Sequence, residues 1–243
     1  MINEPRLLHE ISHGQYILEH GEEIWNWSSP AGKVRWARRC KLFAAFLGMN
    51  QNHVLEIGCG TGLFTKELAK TGNTIVAIDI SEALIRKAKE RVVATNVSFV
   101  VENAYKTSFT AESFDFIVGS SSLHHLEVDK ALNEFIRILK PGGGILFTEP
   151  NMLNPQVALI KNIPFLKRRA GDSPDETAFF RWKITGTFRR YGFVDVEVKP
   201  FDFVHPRIPA HYVKKCEHVA LFLEKIPIVK EFSGSLIICC RKP

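Results

Sequence analysis

The stretch "VLEIGCGTG" at residues 54–62 places three glycines directly after a short apolar run. Glycine costs about 0.5–1 kcal/mol relative to alanine inside regular structure, so such a cluster needs a geometric reason. The apolar run predicts a buried strand, and "LFTKELAKT" at residues 63–71 predicts a helix. We therefore expect a glycine turn between the strand and the helix. There the backbone would approach a neighbouring group more closely than side chains would allow.

Short β-branched runs alternate with amphipathic segments along most of the chain. Strands are predicted at residues 53–57, 74–80, 97–103, 114–120, 144–150, 193–201 and 234–242. Helices are predicted at residues 31–47, 63–71, 82–92, 128–140 and 184–192, with one more amphipathic helix between 151 and 180. The helix at 128–140 is expected to stop at "PGGG". This alternation is typical of an α/β fold with a doubly wound, mostly parallel seven-stranded sheet, here closed by an antiparallel last strand.

Composition indicates where in the cell the protein is expected. No apolar run of the 243 residues approaches the roughly 20 needed to span a bilayer, and the charged N-terminus does not read as a secretory leader. Five cysteines, an odd number without metal-site spacing, are expected to be reduced thiols. We therefore expect a cytoplasmic protein.

The net charge of +6 is concentrated in two segments, "KVRWARRCK" (33–41) and "KNIPFLKRR" (161–169). One interpretation is that both are solvated helix faces. The other is contact with an anionic ligand, an anionic substrate or a membrane surface.

The glycine spacing excludes two common phosphate-binding turns. A dinucleotide fingerprint needs its third glycine at position 63, which is Leu63, and no Gly-Lys-Ser/Thr follows as a phosphate loop requires. The turn is therefore expected to take a ligand without a pyrophosphate at the helix N-terminus.

Four ordered motifs carry a resemblance that covers about residues 50–150. They read "EIGCGTG" (56–62), "IVAIDIS" (75–81), "SFDFIVGSSSLHHL" (113–126) and "RILKPGGGILFTEP" (137–150). Together they resemble the class I S-adenosylmethionine-dependent methyltransferases. The resemblance implies a Rossmann-like methyltransferase fold that binds S-adenosylmethionine and releases S-adenosylhomocysteine. It also implies one domain, with 1–49 as an N-terminal helical cap, 50–150 as the cofactor-binding core, and 151–183 and 202–233 as substrate-side insertions.

The resemblance assigns cofactor contacts to named positions. Asp79 would accept hydrogen bonds from both ribose hydroxyls, a charge-assisted contact, and Glu56 would face the methionine ammonium group. The family's usual Asp-Ala pair is Asn103-Ala104 here. The Asn103 carbonyl is expected to accept the adenine amino group, with a plain turn-forming role as the alternative. The complete expected set is Glu56, Gly58, Gly60, Gly62, Asp79, Ile80, Asn103, Ala104 and Ser120.

Three residues are candidates for removing a proton from the methyl acceptor. His124 and His125 directly follow a predicted strand, and histidine titrates near neutral pH. Glu149 ends the next strand, at the edge of the sheet where such folds bind ligands. The alternatives are that the histidines line the pocket or satisfy backbone groups, and that Glu149 orients substrate or caps a turn.

No metal site is expected. His9, His13 and His20 recur near one face of a helix, but no carboxylate or cysteine set accompanies them in the sequence.

The segments outside the shared core are aromatic and apolar with some basic groups, which suits a small organic substrate with an apolar body and an anionic group. The acceptor atom is expected to be oxygen or nitrogen, with carbon as a further alternative. The segment "VALIKNIPFLKRR" (157–169) leaves peripheral membrane contact open. Nucleic acid is not expected, because "GSSSL" (119–123) replaces the Asn/Asp-Pro-Pro-aromatic run of base methyltransferases. The competing hypothesis is a catalytically silent member of the fold that acts as a scaffold.

Overall fold

The computed structural model describes residues 4–20 and 25–243. Within them, seven strands form one sheet in the order β3-β2-β1-β4-β5-β7-β6. The strands are β1 His53–Ile57, β2 Thr74–Asp79, β3 Val97–Val101, β4 Phe114–Ser120, β5 Leu139–Pro150, β6 Val194–Phe201 and β7 Ser235–Arg241. Strands β1 to β5 pair in parallel, and β7 is antiparallel to both β5 and β6. The predicted doubly wound sheet and its antiparallel closing strand are confirmed.

Helices flank the sheet. Their bounds are α1 Pro5–His20, α2 Pro30–Leu47, α3 Leu63–Leu68, α4 Glu82–Arg91, α5 Val128–Ile138, α6 Pro155–Asn162, α7 Pro164–Arg169, α8 Arg181–Arg190 and α9 Val213–Leu223. Helices α2, α3, α4, α5 and α8 lie where the sequence predicts them, whereas α9 was not predicted. No helix of the described segments has both the length and the apolar character needed to cross a membrane.

The core lies on both faces of the sheet because alternate strand residues point to opposite sides. On β1, Val54 packs with Phe43 of α2 and Phe64 of α3, whereas Leu55 packs with Phe135 of α5 on the other face. Since β1 to β5 are parallel, their carboxyl ends share one edge of the sheet, and this edge carries the candidate site.

Two predicted elements differ clearly from the structure. The helix expected to stop at "PGGG" already ends at Ile138, and these glycines belong to β5, which starts at Leu139. Backbone hydrogen bonds between Lys242 and both Gly142 and Gly143 hold this part of the strand, a long-range pairing that overrides the breaker composition. The segment expected to form one amphipathic helix forms two, α6 and α7, because Pro164 starts a new helix.

The basic face of α2 is not solvated, which corrects one of the two interpretations of that charge. Arg39 is only 2% exposed, and its Nη1 lies 2.9 Å from Asp202 Oδ2. The same carboxylate oxygen lies 2.7 Å from Arg35 Nε, and Arg38 Nη2 lies 2.7 Å from Glu224 Oε2. Both acids come from segment 202–233, which packs against α2. The arginines of α2, which the sequence suggests are exposed, therefore form ion pairs beneath this segment.

Candidate active site

A cavity of about 470 Å³ lies at the carboxyl ends of β1, β2 and β4. This volume falls in the range of small-molecule sites, about 300–1,000 Å³. One wall is the glycine turn with Asp79, and another is the turn that carries His124 and His125. Helix α1 adds a third wall through residues such as Leu7 and Ile17. The predicted cofactor and proton-acceptor regions therefore meet in one continuous space.

Glycine is needed at positions 58, 60 and 62 for different steric reasons. All three have positive φ angles, of 67°, 54° and 77° for Gly58, Gly60 and Gly62. A Cβ on Gly58 would lie 2.8 Å from Ser122 Cβ, and one on Gly62 would lie 3.0 Å from Ala88 Cβ. A Cβ on Gly60 would meet nothing within 4 Å. Gly58 and Gly62 thus permit close packing within the protein, whereas Gly60 borders cavity space that a side chain would fill.

Asp79 is fixed beside the glycine turn by backbone donors. The Gly60 N–H donates to Asp79 Oδ2 and the Ser81 N–H donates to Asp79 Oδ1, both at 2.9 Å. Burial raises the pKa of Asp79, and these two N–H donors partly counteract that effect. The carboxylate lines the cavity in a fixed orientation, as expected for an acceptor of ribose hydroxyls.

Glu56 is a buried carboxyl group that faces the cavity with an unsatisfied atom. It is 2% exposed, and its Oε2 has no hydrogen-bond partner among the described residues. Burial raises the pKa of Glu56 to about 8, and the charge of Asp79 adds to this effect. A ligand ammonium group would satisfy such an atom, so the donor and acceptor groups around the turn fit the methionine end of S-adenosylmethionine.

Asn103 forms a turn and also lines the cavity. Its Oδ1 accepts the Tyr105 N–H at 2.9 Å, so the turn-forming role is present in the structure. A carbonyl oxygen can accept a second bond, which leaves the expected adenine contact open. Of the nine expected cofactor residues, eight line the cavity: Glu56, Gly58, Gly60, Asp79, Ile80, Asn103, Ala104 and Ser120. Gly62 does not line it and instead packs against α4.

Glu149 stabilises the turn that carries His124 and His125, which we call the histidine turn. Its carboxylate accepts the backbone N–H groups of Ser122, Leu123 and His124 at 3.1, 2.8 and 3.3 Å. His124 Nδ1 lies 2.6 Å from Glu149 Oε2. Glu149 is 1% exposed and does not line the cavity, whereas His124 and His125 do. His124 and His125 therefore border the cavity, and the Glu149 carboxylate contacts their turn without bordering the cavity itself.

A second buried carboxylate, Glu176, faces the same histidines from the cavity side. Its Oε2 lies 3.6 Å from His124 Nε2 and 2.7 Å from Lys161 Nζ. Burial alone lowers the pKa of His124, but the carboxylates of Glu149 and Glu176 outweigh it and raise the pKa to about 9. No local pattern in the sequence points to Glu176, and Lys161 stands out only as the first residue of the basic segment 161–169. The only signal was that residues 151–183 were expected to face the substrate.

The three histidines of α1 do not converge. His9 Nδ1 lies 2.7 Å from Asp175 Oδ2, and His20 Nδ1 lies 3.0 Å from the Tyr16 carbonyl oxygen. Of the three, only His13 lines the cavity. The three side chains therefore have separate surroundings.

Residues 55–147 match the family model described as a methyltransferase domain. Residues 55–147 therefore form a methyltransferase domain. The matched range starts in β1, includes the glycine turn, Asp79 and the histidine turn, and ends in β5. The match therefore contains the carboxyl ends of β1, β2 and β4, while α1, Glu176 and the carboxyl end of β5 at Pro150 lie outside it.

Two curated relatives match about 40–52% of this chain. A ubiquinone biosynthesis O-methyltransferase of Coxiella burnetii is 29% identical over 134 residues, 52% of this chain and 57% of that protein. A ubiquinone/menaquinone biosynthesis C-methyltransferase of Hydrogenovibrio crunogenus is 35% identical over 107 residues, 40% of this chain and 42% of that protein. The chain thus spans about half the length of the curated relatives it matches.

A solved structure extends the likeness of the fold beyond the methyltransferase domain. An S-adenosylmethionine-dependent methyltransferase from Thermotoga maritima superimposes with a TM-score of 0.64 at 19% identity, covering 95% of this chain and 97% of that one. At this identity the likeness concerns the fold.

Proposed function

We propose that this protein transfers a methyl group from S-adenosylmethionine to an oxygen or nitrogen atom of a small organic metabolite, with carbon as a further alternative. The observation that carries the proposal is the single cavity that joins the glycine turn and Asp79 to His124 and His125. The names of the O- and C-methyltransferase relatives support the same class of reaction.

At the cofactor end, Asp79 would bind the ribose hydroxyls and Glu56 the methionine ammonium group. Gly60 leaves room for the ligand against the turn, Asn103 and Ala104 would border adenine, and Ile80 would pack on its face. S-adenosylmethionine, when bound, supplies a methyl group already activated by its sulfonium. The work left to the chain is to align the acceptor atom with that methyl group and to keep water out.

At the acceptor end, we assign His124 and His125 to contact with the methyl acceptor and Glu149 to positioning. His124 is held by Glu149 on one ring nitrogen and presents the other toward Glu176 and the cavity. Glu149 fixes the ring orientation. Because the pKa of His124 is raised to about 9, the ring is protonated at neutral pH in the ligand-free protein and is a hydrogen-bond donor toward the acceptor. Glu149 does not border the cavity, so its contribution to catalysis would pass through His124.

We further propose that residues 1–49, 151–183 and 202–233 select the substrate, since α1, α6 and segment 202–233 all contribute to the cavity wall. The five cysteines are all free, which fits a reducing compartment and supports a cytoplasmic location. Leu159 and Phe165 on α6 and α7 are 55% and 62% exposed, which keeps peripheral membrane contact as an alternative. A nucleic-acid substrate is not part of the proposal.

The test is calorimetric titration of the purified protein with S-adenosylmethionine and with S-adenosylhomocysteine. Asp79→Ala should weaken binding by about 1.5–3 kcal/mol, the scale of lost hydrogen bonds to a charged group. Asp129→Ala is the matched control, because Asp129 is an exposed aspartate on α5 that does not line the cavity. Equal affinity of both variants and the parent would remove Asp79 from the site. Binding without transfer of a labelled methyl group to any candidate acceptor would favour the scaffold hypothesis.

A further inference from the structure

Three distant segments bring two histidines and a glutamate together at one wall of the cavity. His13 comes from α1, His125 from the turn after β4, and Glu176 from the segment between α7 and α8. One donor atom of each residue lies within 4.8 Å of the others. His13 Nε2 is 3.6 Å and His125 Nδ1 is 3.7 Å from the same atom, Glu176 Oε1.

These separations are too long for hydrogen bonds and fit a shared ion instead. Two ligands of a tetrahedral Zn²⁺ at about 2.0–2.1 Å lie about 3.4 Å apart. His13 makes no hydrogen bond to any residue in the described segments, although its side chain is only 11% exposed. The three groups therefore face one another across a gap of the size that a metal ion fills.

The surroundings hold both carboxylates of this wall in place. Lys161 Nζ lies 2.7 Å from Glu176 Oε2, and Glu176 Oε1, which accepts the Ser173 N–H at 2.7 Å, is the oxygen that faces the two histidines. Glu10 Oε2 lies 2.8 Å from His125 Nδ1, and its other oxygen accepts the Ser173 hydroxyl at 2.6 Å. Glu10 thus provides a carboxylate oxygen at the edge of the gap, and such supporting contacts orient metal ligands.

The local charge also favours a cation. Three buried or half-buried carboxylates, Glu10, Asp172 and Glu176, surround this wall. Within residues 4–20 and 25–243, Lys161 is the one lysine or arginine that forms an ion pair with any of them. A divalent cation would offset the remaining negative charge.

We propose that His13, His125 and Glu176 bind a first-row divalent metal ion, and Zn²⁺ fits these ligands best. Glu10 is either the fourth ligand or lies next to the ion. Two imidazoles with one carboxylate suit zinc and its first-row neighbours better than Mg²⁺ or Ca²⁺, which prefer all-oxygen sites. The site lies in the same cavity as His124. Provided the proposed methyl transfer is correct, an acceptor hydroxyl on an open metal position would lose its proton more readily.

The experiment measures the metal alone, without cofactor or acceptor, so its result is independent of the proposed function. Protein stripped with a chelator is titrated with Zn²⁺ by calorimetry and with Co²⁺ by visible absorption. We expect one ion per chain, and Co²⁺ ligand-field bands typical of a four- or five-coordinate site. His13→Ala and Glu176→Gln should each weaken binding more than about 100-fold, beyond the range seen for outer-shell partners.

The matched control is His9→Ala, one turn away on the same helix, which should bind Zn²⁺ like the parent. Thermal unfolding of each variant reports whether it is folded, and His13→Ala removes a ligand without opening the buried Lys161 ion pair. Absence of one-to-one binding by the folded parent protein overturns the proposal. Binding that survives His13→Ala also overturns it, since the ion would then lie elsewhere.

Discussion

At the scale of single residues, Glu56 shows how burial prepares a binding group. A carboxyl with an ordinary pKa is ionised at neutral pH, but burial raises the pKa of Glu56 to about 8. In the ligand-free protein it is therefore mostly protonated at pH 7. An ammonium group placed beside it would favour the ionised form, so binding and proton release are coupled.

This coupling predicts that S-adenosylmethionine affinity rises with pH. Below the pKa of Glu56, ligand binding must expel its proton, and this requirement fades as pH approaches about 8. The range from about pH 6 to 7.5 is suitable, because it lies below the amino pKa of the ligand, about 7.7–8.0. We expect affinity to rise nearly tenfold per pH unit, with proton release visible by calorimetry in buffers of different ionisation enthalpy. Glu56→Gln should flatten the profile, and an equally steep profile in this variant would contradict the assignment.

Gly60 and Gly72 permit a matched test of the glycine turn. Both have positive φ angles, of 54° and 76°, and an added Cβ would meet nothing within 4 Å in either case. Gly60 lines the cavity and Gly72 does not. Valine at either position should lower the free energy of unfolding by a similar amount, about 1–3 kcal/mol of backbone strain. Only Gly60→Val should abolish cofactor binding, as measured by titration at a temperature where both variants are folded.

At the scale of elements, the turn after β4 depends on a carboxylate from the end of β5. Glu149 accepts three consecutive backbone N–H groups of this turn and also contacts His124. Parallel pairing of β4 with β5 brings the two strand ends together, so the sheet itself delivers Glu149 to the turn. The orientation of the histidines is thus a property of the strand pair.

Glu149→Ala should lower the free energy of unfolding by about 3 kcal/mol or more, because it leaves buried N–H groups without an acceptor. Urea unfolding monitored by circular dichroism gives this value. Glu197→Ala, an exposed glutamate on β6, should change stability by less than about 0.5 kcal/mol. Equal effects in the two variants would mean that the turn does not depend on Glu149.

At the scale of the whole molecule, segment 202–233 is bound to α2 by buried charges. Arg39 is buried, and the carboxylate of Asp202 lies against both Arg39 and Arg35. Burial lowers the pKa of Arg39 to about 10, and it remains charged at neutral pH. The cluster therefore stabilises the fold only while both signs are present.

Asp202→Ala should lower the free energy of unfolding by about 3–5 kcal/mol, since it leaves the Arg39 charge buried without its partner. The shift of the urea midpoint at constant slope measures this change. The exposed pair Asp129 and Arg190 supplies the control, and Asp129→Ala should cost less than about 1 kcal/mol. A small effect of Asp202→Ala would show that water reaches Arg39.

The sequence predicts the features that depend on neighbours along the chain. The strand–glycine–helix turn, Asp79 at a strand end and the alternation of strands and helices are all local patterns, and the structure confirms them. The burial of Arg39 was not predictable, because its partner Asp202 lies 163 positions away. The same holds for Glu176, which meets α1 and the histidine turn only in the folded chain.

Helix α1 supplies a wall of the cavity, and it is attached by polar contacts besides its buried residues Leu7, Gly14 and Ile17. Arg6 Nε donates to the His125 carbonyl at 2.7 Å, and Glu10 contacts both His125 and Ser173. Polar contacts of this kind exchange with water more readily than a packed apolar face, so α1 is the wall expected to open first. Residence times of ligands would then follow the opening rate of α1, and removing the Arg6 side chain would speed their release.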